Sequence, residues 1–293
     1  NADWWRMTSD ASGNYAIGSY STGSWVDHFK LDANSRISLS NNDSGTSNTV
    51  FGKLAGNLIG SGDNYNVFIG ENVADANMTN ATYNIGIGFE ALGGLTTGDS
   101  NTVVGSYAYT LASTGLNNVA IGHGAMNQVP AGQAVDGVVA VGFEALKGHS
   151  SNTTTGINGT VAIGDSALLA LTSGVGNVAV GYTAMASETD GSYNTAVGHL
   201  SLNALTGIGG TAANVAVGYG AAKLLVTGIN NTVVGFNALD AAVDNESYNV
   251  AIGADAMGAC NQGSDANSDI DGNVAIGYQA LLGGNFGGSN KNA

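Results

Sequence analysis

From residue 48 onward, apolar and polar positions follow a short unit that returns every 17 to 24 residues. The segment NVAIGYQAL at 273–281 shows it: one Asn, three apolar residues, a Gly, two variable positions, then Ala and Leu. NIGIGFEAL (84–92), NVAIGHGAM (118–126), NVAVGYTAM (177–185), NTVVGFNAL (231–239) and NVAIGADAM (249–257) repeat it with small changes. Anchored on the glycine there are thirteen copies, at Gly52, Gly70, Gly88, Gly105, Gly122, Gly142, Gly164, Gly181, Gly198, Gly218, Gly235, Gly253 and Gly277. A fourteenth, isolated copy is NYAIGSYS at 14–21. A repeat this short marks stacked coils of a solenoid rather than independent domains.

The three apolar residues before each glycine predict a short strand. Its first and third positions are β-branched or otherwise large, as in Val119 and Ile121, and share one face because strand side chains alternate. The middle position points to the other face and is also apolar or small in every copy. A strand apolar on both faces is buried on both. One face fills the interior of the coil; the other, stacked over thirteen rungs, leaves an apolar stripe that a soluble monomer rarely tolerates. Another copy of the chain is the simplest cover. The alanines Ala120, Ala140, Ala162, Ala179, Ala196, Ala216, Ala251 and Ala275 permit close approach and are expected to form the interface between chains and the core of the assembly.

The glycine is expected where the backbone turns with positive φ or passes close to a neighbour. Asn stands four residues before it in eleven of thirteen copies, the exceptions being Val138 and Thr160. It suits a left-handed turn and, stacked in register, a side-chain ladder. Ala followed by Leu, Met or Ala after the glycine predicts a second, shorter buried strand. Each coil is thus read as two short strands and two turns, and thirteen coils make a column about 60 Å long.

Composition narrows the function classes. Lys and Arg number 7 against 22 Asp and Glu, a net charge of −15, which disfavours nucleic acids and anionic membrane surfaces as partners. No apolar run approaches the roughly 20 residues of a membrane span, so no membrane insertion is expected. The lone Cys260 forms no intrachain disulfide. The chain begins without Met and is read as a fragment or a processed product.

The repeated N-x-V-A-I-G-x-x-A resembles the head repeat of trimeric autotransporter adhesins and the related repeats of bacteriophage tail fibres. The resemblance covers residues 48–281, and its longer coils and G-[YF]-x-A-L ending are closer to the tail-fibre versions. It implies a left-handed parallel β-roll and a homotrimer, intertwined or side by side. Residues 1–47 hold all three tryptophans, Trp4, Trp5 and Trp25. Within them FKLDANSRISLS (29–40) resembles a strand–turn–strand connector of phage fibres. The chain therefore divides into a small β adapter (1–47) and an all-β parallel solenoid (48–293).

Four steps between glycines exceed the basal length and place loops near residues 127–137, 147–159, 205–213 and 258–272. Such insertions often carry binding surfaces, and they are equally often tolerated without a role. His149 and Asn152, in the second loop, are receptor-binding candidates. So are Tyr182, His199, Tyr219 and Phe236, which follow the glycine on four consecutive rungs and are spaced to stack on sugar rings or on each other. Asn267, Asp269 and Asp271 alternate before Gly272 as in the opening half of a calcium loop. Tyr278 stands where such a loop needs its twelfth-position Glu, so a solvated acidic loop is the competing reading. No cofactor other than calcium is expected.

Catalysis finds little support. The four histidines lie in no metal-ligand spacing, and the equivalent Glu90 and Glu144 are three rungs apart, about 14 Å. A glycosidase pair needs about 5 to 9.5 Å. The expectation is a non-enzymatic, adhesive tail-fibre segment of the virion. Its partners would be itself, a bacterial surface glycan or outer-membrane receptor, and other tail-fibre or baseplate proteins. The alternatives are the head of a bacterial surface adhesin and a polysaccharide depolymerase with a site between subunits. An ice-binding solenoid is a weaker rival, because threonine occupies only Thr49, Thr102, Thr195 and Thr232 among the strand positions.

Overall fold

The computed structural model describes residues 5–9, 15–21, 24–31, 37–38, 45, 47–148, 156–207, 209–243, 246–260 and 270–283. All regular structure among them is β. Strands β1 (Trp5–Ser9), β2 (Tyr15–Ser21), β3 (Ser24–Leu31) and β4 (Ile37–Ser38) form a four-stranded antiparallel sheet in chain order. β3 and β4 pair antiparallel, Lys30 opposite Ser38 and Leu31 opposite Ile37. The isolated copy at 14–21 is not a solenoid rung. It lies in β2, paired antiparallel to β1 and β3 with an irregularity between Ile17 and Gly18. A rung needs a neighbour about 17 residues away to complete its hydrogen bonds, and here the nearer hairpin partners supply them.

The remaining strands, β5 (Thr49–Phe51) to β17 (Val274–Ile276), form one thirteen-stranded parallel sheet in strict sequence order. The chain is a parallel β-solenoid. Each strand is three residues long and pairs residue for residue with the next, as Val178, Ala179 and Val180 pair with Thr195, Ala196 and Val197. The longest steps do not disturb this register: Val139–Val141 still pairs with Val161–Ile163 across a 22-residue step.

The two strand faces are the reverse of the expected assignment. The alanines proposed for the chain–chain interface, Ala120, Ala140, Ala162, Ala179, Ala196, Ala216, Ala251 and Ala275, are buried inside their own chain. The flanking Val and Ile side chains point outward, with Ile163 at 39% and Val197 at 36% exposure. The reason is volume. The inside of a coil only 17 or 18 residues around must also take Leu92, Met126, Leu146, Leu168, Met185 and Leu202 from the opposite wall. Facing these, a small residue packs without strain. Phe68, the largest residue at the middle position, stands below Gly86, where a side chain would press on Phe68, Val73 and Leu92.

The second buried stretch is a turn rather than a strand. Within it alternate residues take positive φ: Glu90 (53°) and Leu92 (56°), Thr183 (49°) and Met185 (51°), Asn237 (48°) and Leu239 (50°). Left-handed backbone is unfavourable for such residues. It is held because coil-to-coil bonds replace strand bonds, as Leu92 N–H to Ala108 O and Met185 N–H to Ser201 O.

At the corner after each strand the glycine adopts φ between 126° and 144°. A Cβ on Gly181 would collide with the carbonyl of Gly198 one coil on. The asparagines form the expected ladder. Along both uninterrupted runs each Asn N–H donates to the Oδ1 of the Asn one coil before, at 2.8–3.1 Å. The left-handed residue, however, is the one before the Asn, as at Tyr65 (62°), Tyr193 (62°) and Tyr248 (61°). Asn keeps ordinary backbone and spends its amide on the ladder.

Gly181→Ala is expected to cost about 2–4 kcal/mol, from left-handed backbone and a backbone collision together. Gly132→Ala, at φ 78° with open space around the site, costs about 1 kcal/mol. Denaturant unfolding followed by circular dichroism checks the order of the two variants.

Candidate functional site

Outside the core, the register converts each repeat position into a column. The first and third strand positions form two adjacent columns of Val, Ile, Thr and Phe51, without a charge, partly or fully exposed on all thirteen rungs. The position after the glycine forms a third column beside them, and the position before the Asn a fourth on the other side.

The third column holds the predicted ladder. Tyr182 and His199 stack with centroids 5.1 Å apart, His199 and Tyr219 at 5.1 Å, and Tyr219 and Phe236 at 5.3 Å. Interplanar angles of 15°, 2° and 13° make this one continuous stack. The rings therefore cover each other's faces and present their edges to water, so an inner ring cannot also lie flat against a sugar. Contacts of this kind contribute about 0.5–1.5 kcal/mol per pair. Toward the N-terminus the column is less regular: Ser106 follows its glycine, and Tyr107, one residue further on, meets Phe89 and His123 edge to face, while His123 stacks on Phe143 at 5.5 Å. Between the two stacks stands Asp165, in register but not aromatic.

The fourth column has a ring pair that the repeat reading passed over, Tyr65 stacked on Tyr83 at 5.0 Å. Its signal was present, since Tyr precedes the Asn at Tyr65, Tyr83, Tyr193 and Tyr248. Glu188 is a second omission. It takes a core position equivalent to Leu95, Leu171 and Leu205, and is fully buried. One carboxylate oxygen accepts the backbone N–H groups of Thr189, Asp190 and Gly191 at 2.8, 3.0 and 2.8 Å, capping its own turn. The signal for Glu188 was the repeat register, since the seventh residue after the corner glycine is Leu at 95, 171 and 205.

The remaining candidates are not brought together. His149, Asn152, Asn267 and Asp269 lie outside the described residues. Asp271 accepts the Ser247 N–H at 2.6 Å, a bond from one coil to the next. Among the described residues no three His, Cys, Asp or Glu side chains group as metal ligands. The insertion at 127–137 folds against the column, burying Val129 and Val135, with Gly132 N–H bonded to Ser113 Oγ at 2.8 Å.

Burial raises the pKa of two titratable groups of the core. The Tyr109 hydroxyl, which accepts from Asn118 Nδ2 at 3.1 Å, is raised above the ordinary phenol range by burial and then by Asp136. Burial, with the charge of Glu246 second, pushes the Cys260 thiol up to about 11; its Sγ donates to Leu281 O at 3.1 Å. No family model, curated protein or solved structure matches the chain.

Cys260 is therefore expected to resist iodoacetamide at pH 8 in the folded protein and to react roughly a hundredfold faster once unfolded in urea, where its thiolate is populated. Mass spectrometry of timed aliquots reads the two rates.

Proposed function

We propose that the chain is a structural and adhesive segment of a homotrimeric bacteriophage tail fibre that binds a bacterial surface receptor. The observation that carries this reading is the uncharged Val/Ile stripe. Twelve steps at the strand spacing give it a length of about 58 Å, and two columns a width of about 13 Å, so its projection is about 750 Å². A stable protein interface takes about 800 Å² from each partner. Exposed apolar patches on monomers rarely exceed a few hundred Å².

Self-association is the fitting cover because the stripe repeats the coil spacing, and only another column offers a surface with the same repeat. The three-fold symmetry, the left hand and the phage setting rest on the resemblance of N-x-V-A-I-G-x-x-A to tail-fibre repeats. In this reading the copied coil supplies length and stiffness, and the four long steps supply surface loops. Those loops and the exposed aromatic columns meet the receptor, a surface glycan or outer-membrane protein. The acidic charge keeps the fibre soluble. Other fibre or baseplate proteins join the column to the virion.

Native mass spectrometry is expected to find a species near three times 29.1 kDa. The double variant Ile163→Lys/Val180→Lys, in which like charges stack directly on adjoining rungs of each protomer and meet their copies across the interface, is expected to be monomeric with its β spectrum kept. Ala179→Lys, which points inward, is expected to unfold the coil instead. A monodisperse wild-type monomer overturns the reading, and release of oligosaccharides from capsular or lipopolysaccharide glycans replaces it with a depolymerase.

A further inference from the structure

We propose that the break in the aromatic column at Asp165 is a binding site for an organic ammonium cation, with Phe143 and Tyr182 as its walls and the Asp165 carboxylate as its floor. This goes beyond the proposed function, because it assigns a ligand chemistry to one rung and requires no receptor to be known.

The backbone keeps its register through the break. Ser166 N–H bonds Phe143 O and Thr183 N–H bonds Asp165 O, each at 2.9 Å, as Glu144 N–H bonds His123 O in the stack before it. Asp165 thus occupies the place of a missing ring. Neighbouring rings in the column are 5.1–5.5 Å apart, so Phe143 and Tyr182, two rungs apart, are separated by about 10 Å. A cation midway lies about 5 Å from each centroid, inside the roughly 6 Å reach of a cation–π contact.

Both walls are held from behind. Phe143 stacks on His123 and Tyr182 on His199, at interplanar angles of 14° and 15°. Among the described residues neither has a ring partner on the side of the gap. Phe143 is 49% and Tyr182 52% exposed, and Asp165 is exposed as well. The carboxylate is oriented by Ser166 Oγ, which donates to its Oδ1 at 2.7 Å. The nearest lysine along the chain, Lys147, is already paired with Glu144 at 2.7 Å. Among the described residues Asp165 takes part in no ion pair.

Charge decides the ligand class. Ring faces carry the negative lobe of the aromatic quadrupole, the floor is an anion, and the chain bears a net charge of −15. A neutral sugar ring would stack here without using the carboxylate's charge. An ammonium group uses all three surfaces. The molecule carries its own comparison one stack further on, where Ala254 separates Phe236 from Tyr278 and places a methyl group where Asp165 has its carboxylate.

The test is ligand-observed saturation-transfer NMR on the intact protein in its native assembly. The probes are choline, protonated glucosamine and 3,3-dimethyl-1-butanol, the neutral isostere of choline. Choline is expected to bind in the millimolar range and the isostere at least tenfold more weakly. A tighter glucosamine would assign the ammonium to an amino sugar rather than a quaternary headgroup, within the same chemistry. Asp165→Asn and Tyr182→Ala are expected to weaken binding about tenfold with an unchanged circular dichroism spectrum, whereas Phe236→Ala leaves it unaltered. The proposal is overturned if neither ammonium compound binds, if the isostere binds equally well, if Asp165→Asn has no effect, or if Phe236→Ala is the variant that abolishes binding.

Discussion

The close passage of each corner glycine over the next one is the contact on which the column depends. The backbone of Gly181 lies against the carbonyl of Gly198, that of Gly198 against Gly218, and so along the stack. No side chain fits there, and the φ values are ones that L-residues avoid. With this corner held, each strand sits at one fixed offset from the last, and every other repeat position becomes a line parallel to the axis. The strand bonds, the Asn ladder and the aromatic stacks are consequences of that single offset. The register survives the long steps, as Val139–Val141 still pairs with Val161–Ile163 although 22 residues separate Gly142 from Gly164.

A coil this narrow also settles what lies inside. Opposite a wall of Leu and Met there is room for Ala, and where a larger residue enters, a neighbour shrinks. Phe68 is met by Gly86, and Tyr109 reaches toward Gly115, where a Cβ would touch its hydroxyl. The larger Val and Ile side chains face out because the interior is full. The exposed stripe is therefore a direct result of coil size. It is the surface on which the proposed self-association rests, and it links the packing of one chain to the proposed trimeric fibre.

The same repetition makes a chemical departure visible. In a column of stacked rings a single carboxylate changes the local surface from a closed stack to an open gap. Asp165 does this without altering the backbone, since the coil-to-coil bonds on both sides keep their lengths. Ala254 opens a gap of a different character at the other end of the second stack. A repeat protein can in this way acquire a site by changing one residue, with the scaffold already positioned by its neighbours.

The sequence by itself determined the rung, its register, the parallel stack, the Asn ladder and the aromatic column, because each depends only on which residue recurs at which step. It could not decide which strand face is inside. Both faces are apolar, so the period of two carries no sign, and the choice between Ala179 and Val180 rests on the volume left by Met185 across the coil. Nor could it show that Leu92 and Met185 sit in left-handed turns, since those are stable only with a neighbouring coil to bond. Gly18, in a matching segment without a neighbour at the right step, joined an antiparallel sheet instead. Local pattern specifies which backbone contacts are available; tertiary structure decides which of them are made, because a coil is stable only against the coils on either side.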